Sequence, residues 1–116
     1  MQITVDSNKV DLHFGVRFVR ELDKIAGIRA QAGGQTVSLG FGLIKTIPAL
    51  KAYDASALSM VLYAASYEAA KRPSLENCDA YLESLDINTL EKLFSAVEEE
   101  LEKSTVVQLS VKNATA

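Results

Sequence analysis

The stretch MQITVDSNKVDLHFGVRFVRELDKIAG (1–27) decides the fold, because its hydrophobic period changes once. Up to residue 12 the apolar residues alternate with polar ones, as they do in a half-buried strand. From residue 14 they recur every three or four positions, as on one face of a helix. The two sets are Ile3, Val5, Val10 and Leu12, and Phe14, Phe18, Leu22 and Ile25. A short β-hairpin is therefore predicted to lead directly into an amphipathic helix.

Ser7-Asn8 is predicted as the two-residue loop of this hairpin, since asparagine tolerates the left-handed backbone that tight loops need. This loop would set Val5 opposite Val10. A lone hairpin is marginally stable in water, so its apolar face is expected to pack against helices.

Apolar periodicity and capping residues predict about five helices in the whole chain. A Gly- and Gln-containing connection is expected over residues 28–38, and a proline is expected to kink or restart the second helix. The third helix is apolar on nearly every side and is predicted to be central. The predicted features are a helix over Phe14–Ala26 ending at Gly27, one from near Leu39 containing Pro48, one capped by Asp54 or Ser56 and ending near Ala70, one capped by Ser74, and one capped by Asn88.

These elements predict an α+β fold, in which an N-terminal two-stranded β-hairpin packs on a mostly α-helical domain. A chain of 116 residues with 48% hydrophobic residues has the size of one domain with its own core. We assign residues 1–103 to this domain. Residues 104–116 are predicted to form a C-terminal tail, either strand-like or flexible, because residues 105–111 alternate weakly.

The net charge of −3 arises in one late segment. Residues 86–103 contain six acidic residues and two lysines, whereas acids and bases balance before them. No basic stripe is present, which argues against nucleic acid as a partner. The sequence has neither a signal-peptide pattern nor an apolar run long enough to span a bilayer, so no membrane association is expected. The lone Cys78 fits a reducing compartment.

No catalytic, cofactor-binding or metal-binding constellation is predicted. His13 has no nucleophile near it in sequence and is expected at the surface, and Cys78 is expected to be a small buried side chain. The glycines at 33–34 and around Phe41 lack the Lys-Ser/Thr of a phosphate-binding loop. An enzymatic role is therefore not expected.

The closest approach to a functional signal is a run of acids near the end of the last predicted helix, where the helix dipole disfavours negative charge. It could be a solvated face, or a face that meets a positively charged partner. Phe41 could be a core residue or an exposed contact anchor, and the strand-like tail could pair with another chain. The predicted partner-interface residues are Glu98, Glu99, Glu102, Phe41, Val107 and Leu109.

The ordered set of these elements resembles the tail assembly chaperones of long-tailed phages and prophages of Gram-positive bacteria. In that family a short I-x-I hairpin leads into a helix of the form F-x-x-x-F-x-x-x-L-D. The resemblance covers about residues 1–103 and continues through three later stretches. The matching residues are Phe14, Phe18, Leu22 and Asp23, then GFGL (40–43), PAL (48–50), and DI (86–87) followed by LEKLF (90–94).

This resemblance implies a chaperone that binds the phage tape measure protein, keeps it soluble and helps recruit tail tube subunits. It further implies a homo-oligomer that acts in the host cytoplasm, carries no cofactor and is absent from the mature virion. Some members also have a longer frameshifted form. A second interpretation is a small acidic regulatory adaptor, antitoxin-like, that binds a basic protein partner.

Overall fold

The computed structural model describes the backbone of residues 1–26, 30–32, 35–37 and 41–115, and the side chains of residues 1–26 and 42–112. Within these ranges the protein has six helices and two two-stranded antiparallel sheets. The predicted α+β class is confirmed, with one helix more than expected. The elements are β1 Gln2–Val5, β2 Asn8–Asp11, α1 Val16–Ala26, β3 Ala30–Ala32, β4 Gln35–Val37, α2 Phe41–Lys51, α3 Ala55–Ala65, α4 Leu75–Glu83, α5 Ile87–Lys103 and α6 Thr105–Thr115.

The N-terminal hairpin forms as predicted, but its loop is Asp6-Ser7 and not Ser7-Asn8. Both loop residues have positive φ, 50° and 65°, as in a type I′ turn, and the Asn8 amide donates to the Asp6 carbonyl. Ile3 therefore pairs with Val10, and Val5 with Asn8, a shift of two residues from the predicted register. A two-residue shift keeps every side chain on its predicted face. The apolar set remains buried.

Residues 28–38 are not a plain connection, because they contain a second short hairpin. In it Ala30 pairs with Val37 and Ala32 with Gln35. Strands of three residues are too short to produce a readable alternation, so the periodicity could not predict them. The predicted cap at Gly27 and the glycines at 33, 34 and 40 lie outside the described residues.

Helix α3 is central, as predicted. Seven of its residues are buried, and α1, α2 and α4 pack against it. Asp54 is the N-cap, accepting the Ser56 N–H at 2.9 Å. The helix ends at Ala65, earlier than predicted, because the N–H and hydroxyl of Ser66 both donate to the Tyr63 carbonyl. The N-terminal hairpin joins this end of α3, since the His13 N–H donates to the Ala65 carbonyl at 2.9 Å.

Helix α2 continues through Pro48 to Lys51, so the proline does not end it. Its start is held from α1, because the Asp23 carboxylate accepts the Gly42 N–H at 2.9 Å. Asp23 is buried, although its position on the helix placed it with the polar residues. A Cβ at position 42 would lie 2.9 Å from the Asp23 carboxylate oxygen, so a glycine lets the two helices approach this closely.

Helix α5 is capped by Asp86, and not by Asn88 as predicted. The Asp86 carboxylate accepts the Thr89 N–H at 2.7 Å. Hydrogen bonds from the Thr89 and Asn88 backbones and from the Thr89 side chain hold the Asp86 pKa below its ordinary value of 3.8. The apolar spacing of this helix predicts a seam of Leu90, Leu93, Phe94, Val97 and Leu101. The last four are buried, and Leu90 is half-buried.

Residues 105–115 form helix α6 and are neither a strand nor a loose tail. The Ser104 hydroxyl accepts the Val107 N–H at 3.3 Å and donates to the Phe14 carbonyl at 2.5 Å, which starts the helix and ties it to the N-terminal part. Val107 and Val111 lie one helical turn apart, so both face α2 and α5. Val107 is fully buried. The two-residue alternation that suggested a strand included Leu109, which is exposed on the outer face of α6.

Candidate functional site

The outward face of α5 carries a stripe of four glutamates, Glu91, Glu98, Glu99 and Glu102, which we call the α5 acidic face. At about 100° per residue these positions share one side of the helix, on which Glu99 lies farthest from the buried seam and Glu98 borders it. Glu91, Glu99 and Glu102 are exposed, and Glu98 is half-buried against the neighbouring helices. The helix thus buries one side and presents concentrated negative charge on the other.

These carboxylates are not used by the fold. Among the described residues, none of the four forms an ion pair or accepts a side-chain hydrogen bond. Glu98 and Glu102 are one turn apart, and like charges at this spacing repel each other. Both also lie in the last turns of α5, where the helix dipole adds negative potential. The arrangement costs the isolated protein stability, and a positively charged partner would remove that cost.

A groove runs beside this face, between α2, α5 and α6, and we call it the α2–α6 groove. It has a volume of about 230 Å³. Its apolar lining is Ile47, Leu50, Leu101 and Val111, and its polar lining is Lys51, Glu98, Glu102 and Gln108. The Gln108 side-chain amide donates to the Leu101 carbonyl at 3.0 Å, which ties α6 to the end of α5. Apolar surface and unpaired carboxylates therefore meet in one concave site.

A second concavity, the Tyr53 cavity, lies on the other side of the acidic face. It has a volume of about 490 Å³. It is lined by Tyr53, Asn88, Glu91, Lys92, Ser95, Ala96 and Glu99. Tyr53 has a φ of 58°, its side chain is 59% exposed, and its ring meets that of Phe94 edge-on at 5.3 Å. Positive φ is uncommon for a bulky residue, and here it holds an aromatic ring at the rim of the cavity.

The predicted interface residues fall into separate places in the fold. Glu98 and Glu102 come together at the α2–α6 groove, and Glu99 faces the Tyr53 cavity. Leu109 is 57% exposed on the outer face of α6. Val107 is closed to a partner in this fold, because its side chain belongs to the core. Phe41 is the first residue of α2, and its side chain lies outside the described residues.

The sequence reasoning did not find the apolar half of the groove. Ile47 lies on the helix predicted to contain Pro48, and it is half-buried with one side open to the groove. Val111 and Gln108 were assigned to a tail. The signal that could have found them is the helical spacing of Val107 and Val111 after a serine able to cap a helix.

His13 and Cys78, the two residues considered above as possible reactive groups, both make contacts that serve the fold. His13 lies partly exposed with its Nε2 3.1 Å from a Glu68 carboxylate oxygen. Cys78 is fully buried, and this burial, with the nearby Asp79 charge, raises the pKa of its thiol to about 11. The thiol therefore stays protonated and unreactive near neutral pH.

The described parts of the chain contain neither a metal-ion cluster nor a membrane-spanning helix. Within them no three His, Cys, Asp or Glu side chains are grouped so as to hold a metal ion. None of the helices there has the length and apolar character needed to cross a bilayer.

The chain matches a known protein family. The sequence model of the phage tail assembly chaperone protein family, TAC, matches residues 2–115. The chain belongs to this family. The resemblance of residues 1–103 is thereby confirmed, and the match extends over α6 as well. No curated protein and no solved structure matches the chain significantly.

Proposed function

We propose that this tail assembly chaperone binds the tape measure protein of its phage, keeps it soluble, and helps recruit tail tube subunits. The observation that carries the proposal is the α5 acidic face, whose carboxylates are exposed and unpaired in the part of the chain that the structure describes. Family membership makes phage tail proteins the class of partner. The role is that of a binding protein, without a reaction of its own.

The charge pattern supports binding that is specific and reversible. Exposed charges steer a basic partner and orient it, and they contribute more to the association rate than to the final affinity. A chaperone must release its client when tube subunits arrive, so a modest interface suits the task better than a core-like one. Several copies bound along one long client would multiply such weak contacts, which favours a homo-oligomer on the client. On this proposal the protein acts in the host cytoplasm and leaves before the virion is complete.

The direct test is co-expression with the tape measure protein encoded by the same phage. We expect the client to be soluble and to co-purify with the wild-type protein, and both properties to decline for Glu98→Lys/Glu99→Lys/Glu102→Lys. The matched control is Glu83→Lys, which reverses an exposed charge on α4 beside Leu90, nearer the other end of α5 from the three substituted glutamates. A client that is as insoluble with the wild-type protein as it is alone would refute the proposal.

A further inference from the structure

We propose that the α2–α6 groove holds one face of a basic amphipathic helix of the client. This inference rests on the proposed function and adds the site and the chemical class of the segment that it binds. The juxtaposition that carries it is an apolar floor between helices, with two unpaired carboxylates at its edge.

The floor of the groove fits apolar anchors. Leu50 and Leu101 are buried beneath it, and Ile47 and Val111 are half-buried along it, so apolar surface remains in contact with water in the free protein. An engineered apolar cavity of about 150 Å³ accommodates a benzene ring, so about 230 Å³ gives room for one or two anchoring side chains. A helix supplies such anchors at positions i and i+3 or i+4, which is the usual way an amphipathic helix occupies a groove.

The electrostatics of the groove select a cation beside those anchors. Helices α2 and α5 end near this site, at Lys51 and Lys103, with their partial negative charge. The N-terminus of α6, which begins at Thr105, offsets that of α5, so the C-terminus of α2 and the carboxylates are the main negative charges. Glu98 and Glu102 add two carboxylates, and Lys51 offsets part of this charge. The remaining negative potential favours a segment with lysine or arginine beside its apolar stripe.

The Tyr53 cavity is a poorer candidate for the same segment. It is larger but more open to solvent than the groove, and Lys92 lies there with Glu91 and Glu99. An anchoring side chain would stay partly in contact with water there, so it would bury less of its apolar surface than in the more enclosed groove. The anchoring contacts are therefore assigned to the groove, and Glu99 contributes to the general field of the acidic face.

The probe for this inference is a designed peptide of about 20 residues, long enough to form a helix on binding, with leucines at helical spacing and lysines beside them. We expect it to bind the wild-type protein, measured by fluorescence anisotropy. A peptide with glutamate in place of lysine, and one with serine in place of leucine, should each bind at least about tenfold more weakly. Equal binding of the lysine and glutamate peptides would overturn the inference.

Two substitutions localise the contact. Val111→Phe fills the groove without changing charge and should weaken peptide binding by about tenfold. Ile87→Phe is its control, because Ile87 is 72% exposed at the other end of α5, about 21 Å along the helix from Leu101. Glu98→Lys/Glu102→Lys should lower affinity by about tenfold at low salt and by less at high salt, whereas Glu83→Lys should leave it within about twofold.

One readout does not depend on any variant folding. In two-dimensional NMR of the wild-type protein, amide shifts induced by the peptide should concentrate at Ile47, Leu101 and Val111. Shifts centred on Tyr53 and Ser95, or a loss of affinity for Glu99→Lys as large as for the Glu98→Lys/Glu102→Lys pair, would overturn the groove as the site.

The two proposals fail in different ways. If Val111→Phe keeps the tape measure protein as soluble as the wild-type protein does, the groove assignment falls and the chaperone function stands. If the wild-type protein itself gives the client no solubility, the proposed function falls whatever the peptide does.

Discussion

Helix α1 and helix α5 both carry many charges, and they use them in opposite ways. Around α1, the Glu21 carboxylate lies 3.5 Å from Arg17, 3.8 Å from Lys24 and 3.7 Å from Arg72. Arg72 also donates to the Tyr63 carbonyl at 2.9 Å and stacks over the Tyr63 ring at 4.0 Å. These charges join α1 to the segment after α3.

On α5 the glutamates of the acidic face make no such contacts within the described parts of the chain. A charge that is paired and half-buried serves the fold, and its removal should lower stability. For charges that are exposed, unpaired and unfavourably placed in their helix, we propose a role in binding a partner. The difference between the two helices therefore separates stability from binding, and the substitutions below test that separation.

The largest loss of stability is expected from a substitution on the buried side of α1. Phe18 is fully buried, and its ring meets that of Phe14 edge-on at 5.1 Å. Phe18→Ala should lower the free energy of unfolding by about 3–5 kcal/mol, because it removes a large apolar group and leaves a cavity. Ile87→Ala on the surface of α5 should change it by less than about 0.5 kcal/mol. Urea unfolding measures both values, and similar losses would mean that the core is placed wrongly.

The next largest loss of stability is expected when the ion pair between Arg72 and Glu21 is removed. Arg72→Met should cost about 1–3 kcal/mol, because the substitution removes the hydrogen bond to Tyr63, the stacking on its ring and the ion pair with Glu21. Arg72→Lys should recover part of this loss by restoring the charge without the planar guanidinium. A stability unchanged by Arg72→Met would show that α1 and α5 do not differ in the way described.

Neutralising the acidic face should raise the stability of the protein, whereas removing the paired charges lowers it. Glu98→Gln/Glu99→Gln/Glu102→Gln removes like-charge repulsion and three negative charges near the C-terminus of α5, so stability should rise by roughly 0.3–1 kcal/mol. The gain should shrink in 1 M salt, because exposed charges are then screened. Thermal unfolding at two salt concentrations is the measurement. A clear loss of stability would show that these carboxylates hold the fold.

The smallest effect on stability is expected at the N-terminal end of α5, and it depends on pH. Asp86 has its pKa lowered by the hydrogen bonds at the N-terminus of the helix. A lowered folded pKa stabilises the protein above the unfolded value near 3.9, and that stability is lost as pH falls through the folded pKa. Asp86→Asn keeps a capping oxygen but does not titrate, so its unfolding free energy should fall less steeply below pH 4 than that of the wild-type protein. Parallel acid titrations would contradict the capping role.

The sequence predicted the fold wherever a long hydrophobic pattern existed. The N-terminal hairpin, α1, the central α3 and the seam of α5 follow from periodicity, because burial of one face is the dominant energetic term. The exact loop residues of the hairpin and the capping residue of α5 were less predictable. Asp6-Ser7 and Ser7-Asn8 can both form a tight loop, and Asp86 and Asn88 can both cap a helix. Packing decides between such near-equivalent alternatives.

The candidate site was predicted in part, because its acidic half is local and its apolar half is not. The run of glutamates in α5 is visible along the chain. The groove needs α2 and α6 to meet beside it, and α6 was predicted as a tail. The buried Asp23 that holds α2 was also missed, since its partner Gly42 lies nineteen residues away. Contacts between distant segments leave no periodic signal.

The most direct test of the central claim measures binding and stability on the same preparations. The claim is that the unpaired acids of α5 serve a client rather than the fold. For Glu98→Gln/Glu99→Gln/Glu102→Gln, we expect about tenfold weaker binding to a soluble fragment of the tape measure protein, with a free energy of unfolding equal to or above that of the wild-type protein. Binding equal to that of the wild-type protein, or a loss of binding that merely follows a loss of stability, would contradict it.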